Sequence, residues 1–120
     1  NSIQNFGTIT NTTSGGINIV NYSALGTSLT GNISAAGQTV SISDAQGPIN
    51  QTGGVITADT LNMSATGGIN VSGANQVSNL GAMSGAGLSF ANAGSFNVTQ
   101  SIDMTGAHLN LTSNGGAITQ

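Results

Sequence analysis

Four side chains in this 120-residue sequence could carry acid–base chemistry near neutral pH: Asp44, Asp59, Asp103 and His108. Paired carboxylates would serve glycoside hydrolysis, one as acid and the other as base or nucleophile. Asp44 and Asp59 lie 15 residues apart, and Asp59 and Asp103 lie 44 apart. None has a basic partner, because the chain contains no Lys or Arg. All three are therefore read as turn or outward-facing residues. His108 stands alone, with no Cys in the chain and no neighbouring Asp, so it makes neither a triad nor a zinc site. Calcium is excluded on similar grounds. Asp44-Ala45-Gln46-Gly47 reads as a turn, not a loop of several oxygen ligands, and no Gly-Gly-x-Gly-x-Asp repeat is present. No catalytic residue, metal site or cofactor is assigned, and the expectation is a protein that is not an enzyme.

Asn-x-Ser/Thr triplets, the acceptor pattern for N-glycosylation, begin at Asn11, Asn21, Asn32, Asn50, Asn62, Asn70, Asn97 and Asn110. These are the candidate modification sites. Strand alternation in an Asn/Ser/Thr-rich chain produces the same triplets: Asn outward, an apolar residue inward, a hydroxyl outward. A flat ice-binding face would need repeated Thr-x-Thr, and Thr8-Ile9-Thr10 is the one clear instance.

Composition removes further classes. Only 2% of residues are charged, against about 25% in an ordinary soluble domain. Nucleic-acid binding draws its affinity from basic contacts to phosphate, and attraction to anionic membrane surfaces needs the same groups. Neither is available. No apolar run reaches the ~20 residues of a membrane span. No signal peptide is visible, so an exported chain would take its targeting segment from outside these residues. The apolar fraction of 37% and its regular spacing argue for an ordered chain.

The elements that must hold these residues are strands. Apolar pairs two apart recur as Ile17/Ile19, Val40/Ile42, Leu61/Met63, Ile69/Val71, Leu88/Phe90, Phe96/Val98, Ile102/Met104 and Leu109/Leu111, usually with a polar residue between. That is period two, one face buried and one wet. Turn signals such as Gly15-Gly16, Gly53-Gly54, Gly67-Gly68 and Gly115-Gly116 separate them. A longer period aligns the pairs into three columns. The first is Ile42, Met63, Met83, Met104; the second is Ile49, Ile69, Leu88, Leu109; the third is Ile33, Ile56, Val77, Val98, Ile118. Three columns mean three short strands per turn, and a fixed period of about 20–21 residues marks a solenoid. No rung can bury its apolar face alone, so rungs must stack. The predicted fold is all-β: a right-handed parallel β-helix, residues 1–120 forming one shaft segment of a longer repeat protein. On this period Asp59 and Asp103 are two rungs apart and near one column. Alternation from Leu109 and Leu111 puts His108 on the outer face. A leucine-rich repeat would need an L-x-x-L-x-L-x-x-N pattern that does not recur here, and a β-sandwich is the competing architecture for short strands with frequent turns.

The run Gly54-Val55-Ile56-Thr57-Ala58-Asp59-Thr60-Leu61-Asn62-Met63-Ser64-Ala65-Thr66-Gly67-Gly68-Ile69-Asn70-Val71 carries a resemblance. Gly73-Ala74-Asn75-Gln76-Val77-Ser78-Asn79-Leu80-Gly81 and Leu88-Ser89-Phe90-Ala91-Asn92 continue it. This half of the chain resembles the repeat region of filamentous-haemagglutinin-like adhesins and other two-partner-secretion exoproteins; residues 1–53 resemble it more loosely. The resemblance implies a secreted or surface-tethered rod on a Gram-negative bacterium, exported through an outer-membrane partner transporter. Its implied role is attachment, aggregation or biofilm formation. Implied partners are neighbouring β-helix repeats, copies of the chain stacked end to end, and host or matrix glycans and proteins. The Asn-Pro-Asn-Gly signature of the family's secretion domain is absent, so the segment reads as shaft. A carbohydrate-binding module and a self-assembling fibre subunit are the alternatives.

Overall fold

The computed structural model describes residues 2–120. It is all-β, has no helix among the described residues, and winds as a parallel β-solenoid of about five turns. Each turn has three faces. The first stacks β1 (Asn5–Phe6), β4 (Thr27–Leu29), β6 (Ile49–Gln51), the start of β8 (Ile69–Gly85), β9 (Leu88–Asn92) and β12 (Leu109–Ser113), every pair parallel. The second stacks β2 (Ile9–Thr10), the start of β5 (Ile33–Asp44), the start of β7 (Ile56–Ala65) and the middle of β8, at Gln76 and Val77. The third stacks β3 (Ile17–Asn21) and the ends of β5, β7 and β8; β10 (Phe96–Val98) and β11 (Ile102–Met104) both lie on the end of β8, and β13 (Ile118–Thr119) lies on β10. Three faces per turn agree with the sequence pattern.

Alternation along these strands drives the inward residues together. Ile49, Ile69, Leu88 and Leu109 stand in register as expected, with Thr27 beneath them. Ile42, Met63 and Met83 also stack, on Ile19. A fully buried side chain of this kind contributes about 1.5–3 kcal/mol. Phe90 and Phe96 meet edge to face with centroids 5.1 Å apart and close the interior of the fifth rung.

Two expected columns need correction. Met83 faces Ile102, and Met104 faces Gly85, so Ile102 ends the methionine column. In the third column Ile33 faces Ile56, but Val77 faces Ala58, Val98 faces Leu80, and Ile118 faces Phe96. The cause is a changing rung length. Between the second and third faces the chain runs from Thr10 to Ile17 in the first turn, from Ser34 to Val40 in the second, and from Thr57 to Leu61 in the third. A corner that gains or loses two residues keeps every side chain on its own side while moving the partner along. A constant period read from sequence cannot register such slips. Pro48 precedes β6, where a strand tolerates a missing N–H.

Gly54 illustrates the corners. Its φ is 64°, and a Cβ there would run into the Gly31 carbonyl of the rung beneath.

Candidate functional site

The candidate acids separate. Asp59 and Asp103 are exposed, and they do not share a column as the period suggested. Asp103 faces Ser84, which faces Ser64, whereas Asp59 adjoins Thr60, which faces Asn79. Asp59 instead accepts hydrogen bonds from the Thr60 hydroxyl at 3.0 Å and the Asn79 amide at 3.3 Å. His108 is exposed, on the outer side as expected, with Nε2 3.4 Å from Ser89 Oγ. Among the described residues no three of His, Cys, Asp and Glu group into a metal-binding set.

Asp44 departs from expectation. It ends β5, and its side chain turns inward rather than out, 1% exposed. Alternation puts it on the inner side, one step beyond Ile42 in the two-residue pattern. Its Oδ1 accepts from the backbone N–H of Ser23 (3.1 Å), Gln46 (3.0 Å) and Gly47 (3.1 Å). Its Oδ2 accepts from Thr27 Oγ1 at 2.7 Å and Asn21 Nδ2 at 3.3 Å. Burial pushes this carboxyl up. The Gln46 N–H, the Thr27 hydroxyl, and the Ser23 and Gly47 N–H groups together outweigh that and hold it below the ordinary value of 3.8. All its partners are donors. It is a corner clamp joining the first two rungs at the turn that leads into the third.

A second polar corner lies between the first and second faces. Asn75 and Asn92 stand in register and are buried, 0% and 2% exposed. Asn75 Oδ1 accepts the Ile56 N–H at 2.9 Å, and its amide donates to Val71 O and Ala91 O. Asn92 Oδ1 accepts the Val77 N–H at 2.9 Å, and its amide donates to Val77 O and Gly94 O. Gln51 clasps Asn75 from the rung below, and Ser113 takes the position facing Asn92 one rung on. These amides replace the backbone pairing lost where the chain bends. Sequence alone does not mark these two, because an inward Asn looks like an outward one. The available signal was that Asn75 and Asn92 interrupt apolar alternation at nearly one rung's spacing.

The glycosylation triplets fall into distinct environments. Asn50, Asn70 and Asn110 share one outward ladder on the first face, in the order Ser28, Asn50, Asn70, Ser89, Asn110. Asn32 is exposed just before the second face, Asn97 is exposed in register with Asn79, and Asn62 is half-buried on the third. Asn11 is half-buried, and its amide is engaged with Gly16 and Thr13. Asn21 is 0% exposed and committed to Ile3, Thr27 and Asp44, so its amide is inaccessible in the folded chain.

Two shallow depressions mark the outside. One of about 290 Å³ crosses the third face over Asn18, Ser41, Ser43, Asn62, Ser64 and Asp103. The other, about 200 Å³, lies on the first face among Pro48, Asn50, Asn70, Ser89 and His108. Both offer amides and hydroxyls, groups that recognise polyhydroxylated ligands, beside one titratable side chain each, Asp103 in the first and His108 in the second.

Fold and surface together define a parallel β-solenoid with a nearly uncharged exterior. No protein-family model matches the chain, and neither a curated protein nor a solved structure matches it. Among the described residues no helix is long and apolar enough to cross a membrane.

Proposed function

We propose that this solenoid is a structural shaft of a secreted, surface-exposed bacterial adhesin of the filamentous-haemagglutinin kind. It would hold an adhesive region away from a Gram-negative cell and so serve attachment, aggregation or biofilm formation. The observation that carries the reading is the interior: Ile19, Ile42, Met63, Met83 and Ile102 stack without interruption through the turns. Such a core resists bending and propagates along one axis, while the exterior carries Asn, Ser and Thr in place of catalytic groups. Export through an outer-membrane partner transporter, with neighbouring repeats or further copies stacked on the rung edges, belongs to the same reading.

A display experiment tests it. The chain is placed between a surface anchor and a small adhesive tag, and whole rungs are removed in steps. Capture of beads by cells should fall as the reach shortens. Capture independent of rung number would remove the shaft reading. A second reading, a glycan-binding module, is favoured by the depression over Asn62 and Asp103. Glycan-array binding lost on Asp103→Asn would support it.

A further inference from the structure

We infer that Asn114 is a site of spontaneous deamidation and isoaspartate formation. Asn114-Gly115 is the only Asn-Gly pair in the sequence. It occupies the exposed bend between β12 and β13. The reaction needs an electrophile and a nucleophile one residue apart. The electrophile is the Asn114 side-chain carbonyl carbon, and that amide has no hydrogen-bond partner among the described residues. The nucleophile is the Gly115 backbone nitrogen, whose N–H likewise bonds to nothing among them. Glycine carries no side chain to obstruct the approach, and its backbone turns freely toward it.

In the first step hydroxide removes the Gly115 amide proton, and the nitrogen attacks Cγ of Asn114. A C–N bond forms, the Cγ–Nδ2 bond breaks, and ammonia leaves with a proton from water. The product is a five-membered succinimide. Water then opens the ring at either carbonyl. Opening at Cγ leaves aspartate. Opening at the backbone carbonyl leaves isoaspartate, in which the main chain runs through the former side chain. The overall change is asparagine plus water giving a carboxylic acid plus ammonia, with no oxidation.

The other corner amides are protected by the same geometry. Asn75 and Asn92 are buried with both ends of the amide bonded, and Gln76 and Ala93 follow them. Asn50, Asn62, Asn70, Asn97 and Asn110 sit in strands, where extended backbone keeps the following nitrogen away from the side chain. Asn114 faces outward one position past Ser113, at the level of Ala93, so its exposure does not depend on what stacks above it.

The product changes the molecule in two ways. It adds a carboxylate to a chain whose acidic side chains number three. The isoaspartate form also lengthens the main chain at the corner holding the last rung. There the Asn114 N–H donates to Asn92 O at 2.9 Å, and the Phe96 N–H donates to Ala117 O at 3.1 Å.

The test is incubation of the folded 120-residue chain at mildly alkaline pH, with a denatured sample beside it. Peptide mapping with fragmentation that separates isoaspartate from aspartate reads the result. In the folded sample Asn114 should convert first, isoaspartate should exceed aspartate, and the rate should rise with hydroxide. Asn75 and Asn92 should convert only after denaturation. Amide hydrogen exchange at Phe96 should quicken as isoaspartate accumulates. The Asn114→Gln variant, substituted on an exposed bend, should keep the fold and lose the early product. Conversion of another asparagine ahead of Asn114, or conversion of Asn114 only in the denatured sample, would overturn the inference.

Discussion

Asn62 reaches across one rung to accept the Ala82 N–H at 2.9 Å, and its side chain fills the space where a Cβ on Gly81 would stand. Leu61 faces Leu80 and Met63 faces Met83, so β8 carries one more residue than β7 over this interval. The bulge takes up the difference, and the Asn62 carbonyl satisfies the N–H it frees. Gly81→Ala should therefore cost about 1–3 kcal/mol, the range for forcing atoms into a filled site. Asn62→Ala should cost less, about 0.5–1.5 kcal/mol for one hydrogen bond. Urea midpoints for both variants check the order. A Gly81→Ala variant as stable as the parent would mean that the bulge is absent.

The interior column sets the second expectation. Met63 is 2% exposed, between Ile42 and Met83, so Met63→Ala opens a cavity costing about 2–5 kcal/mol. Leu25 is as apolar yet 76% exposed, and Leu25→Ala should change stability by less than about 0.5 kcal/mol. Thermal or urea denaturation of the pair separates a continuous core from a merely hydrophobic chain.

Met63 also shows what is legible in sequence. Strand alternation writes its burial directly into the chain, and Ile42 and Met83 repeat it at a rung's distance. The first-face column was equally plain, from Ile49 to Leu109. Met104 and Val98 were misplaced because corners change length by a few residues, and the chain can absorb that without altering its apolar pattern. Asp44 was read as outward because its type outweighed its parity: two residues past Ile42, it had to point in. The corner amides stayed hidden for the same reason, since a buried Asn is recognised by the backbone groups it meets, and those come from other rungs.

Asn75 follows from that last point. Asn75→Ala would strand the buried Ile56 N–H, at about 1–3 kcal/mol, while Gln51 would keep Gly54 O and the Gly73 N–H. Asn75→Asp should be worse. The oxygen replacing Nδ2 would face Val71 O and Ala91 O, which accept and cannot donate. Urea denaturation should give midpoints in the order parent, Asn75→Ala, Asn75→Asp, with the slope unchanged if the fold stays two-state. An Asn75→Asp variant as stable as the parent would contradict the buried amide contacts.

Asp44 makes the fold sensitive to acid. Its carboxyl lies below 3.8 when folded, because the Gln46, Ser23 and Gly47 N–H groups and the Thr27 hydroxyl together outweigh the cost of burial. A carboxyl lower in the folded than in the unfolded chain stabilises the fold above its unfolded value, and that contribution disappears as pH falls through the folded value. The chain should hold its stability from neutrality down to roughly pH 4 and lose it below, as protonation removes an acceptor from the corner joining the first two rungs. Asp44→Asn should be less stable at pH 7, since an amide nitrogen cannot accept from the donors around it. Its melting temperature should then fall less steeply in acid than the parent's. Asp59→Asn and Asp103→Asn, both at exposed positions, are the controls for removing a carboxylate elsewhere on the chain. Melting curves for the four proteins across the acid range decide the matter: an unchanged profile in Asp44→Asn would mean that this carboxyl does not clamp the corner.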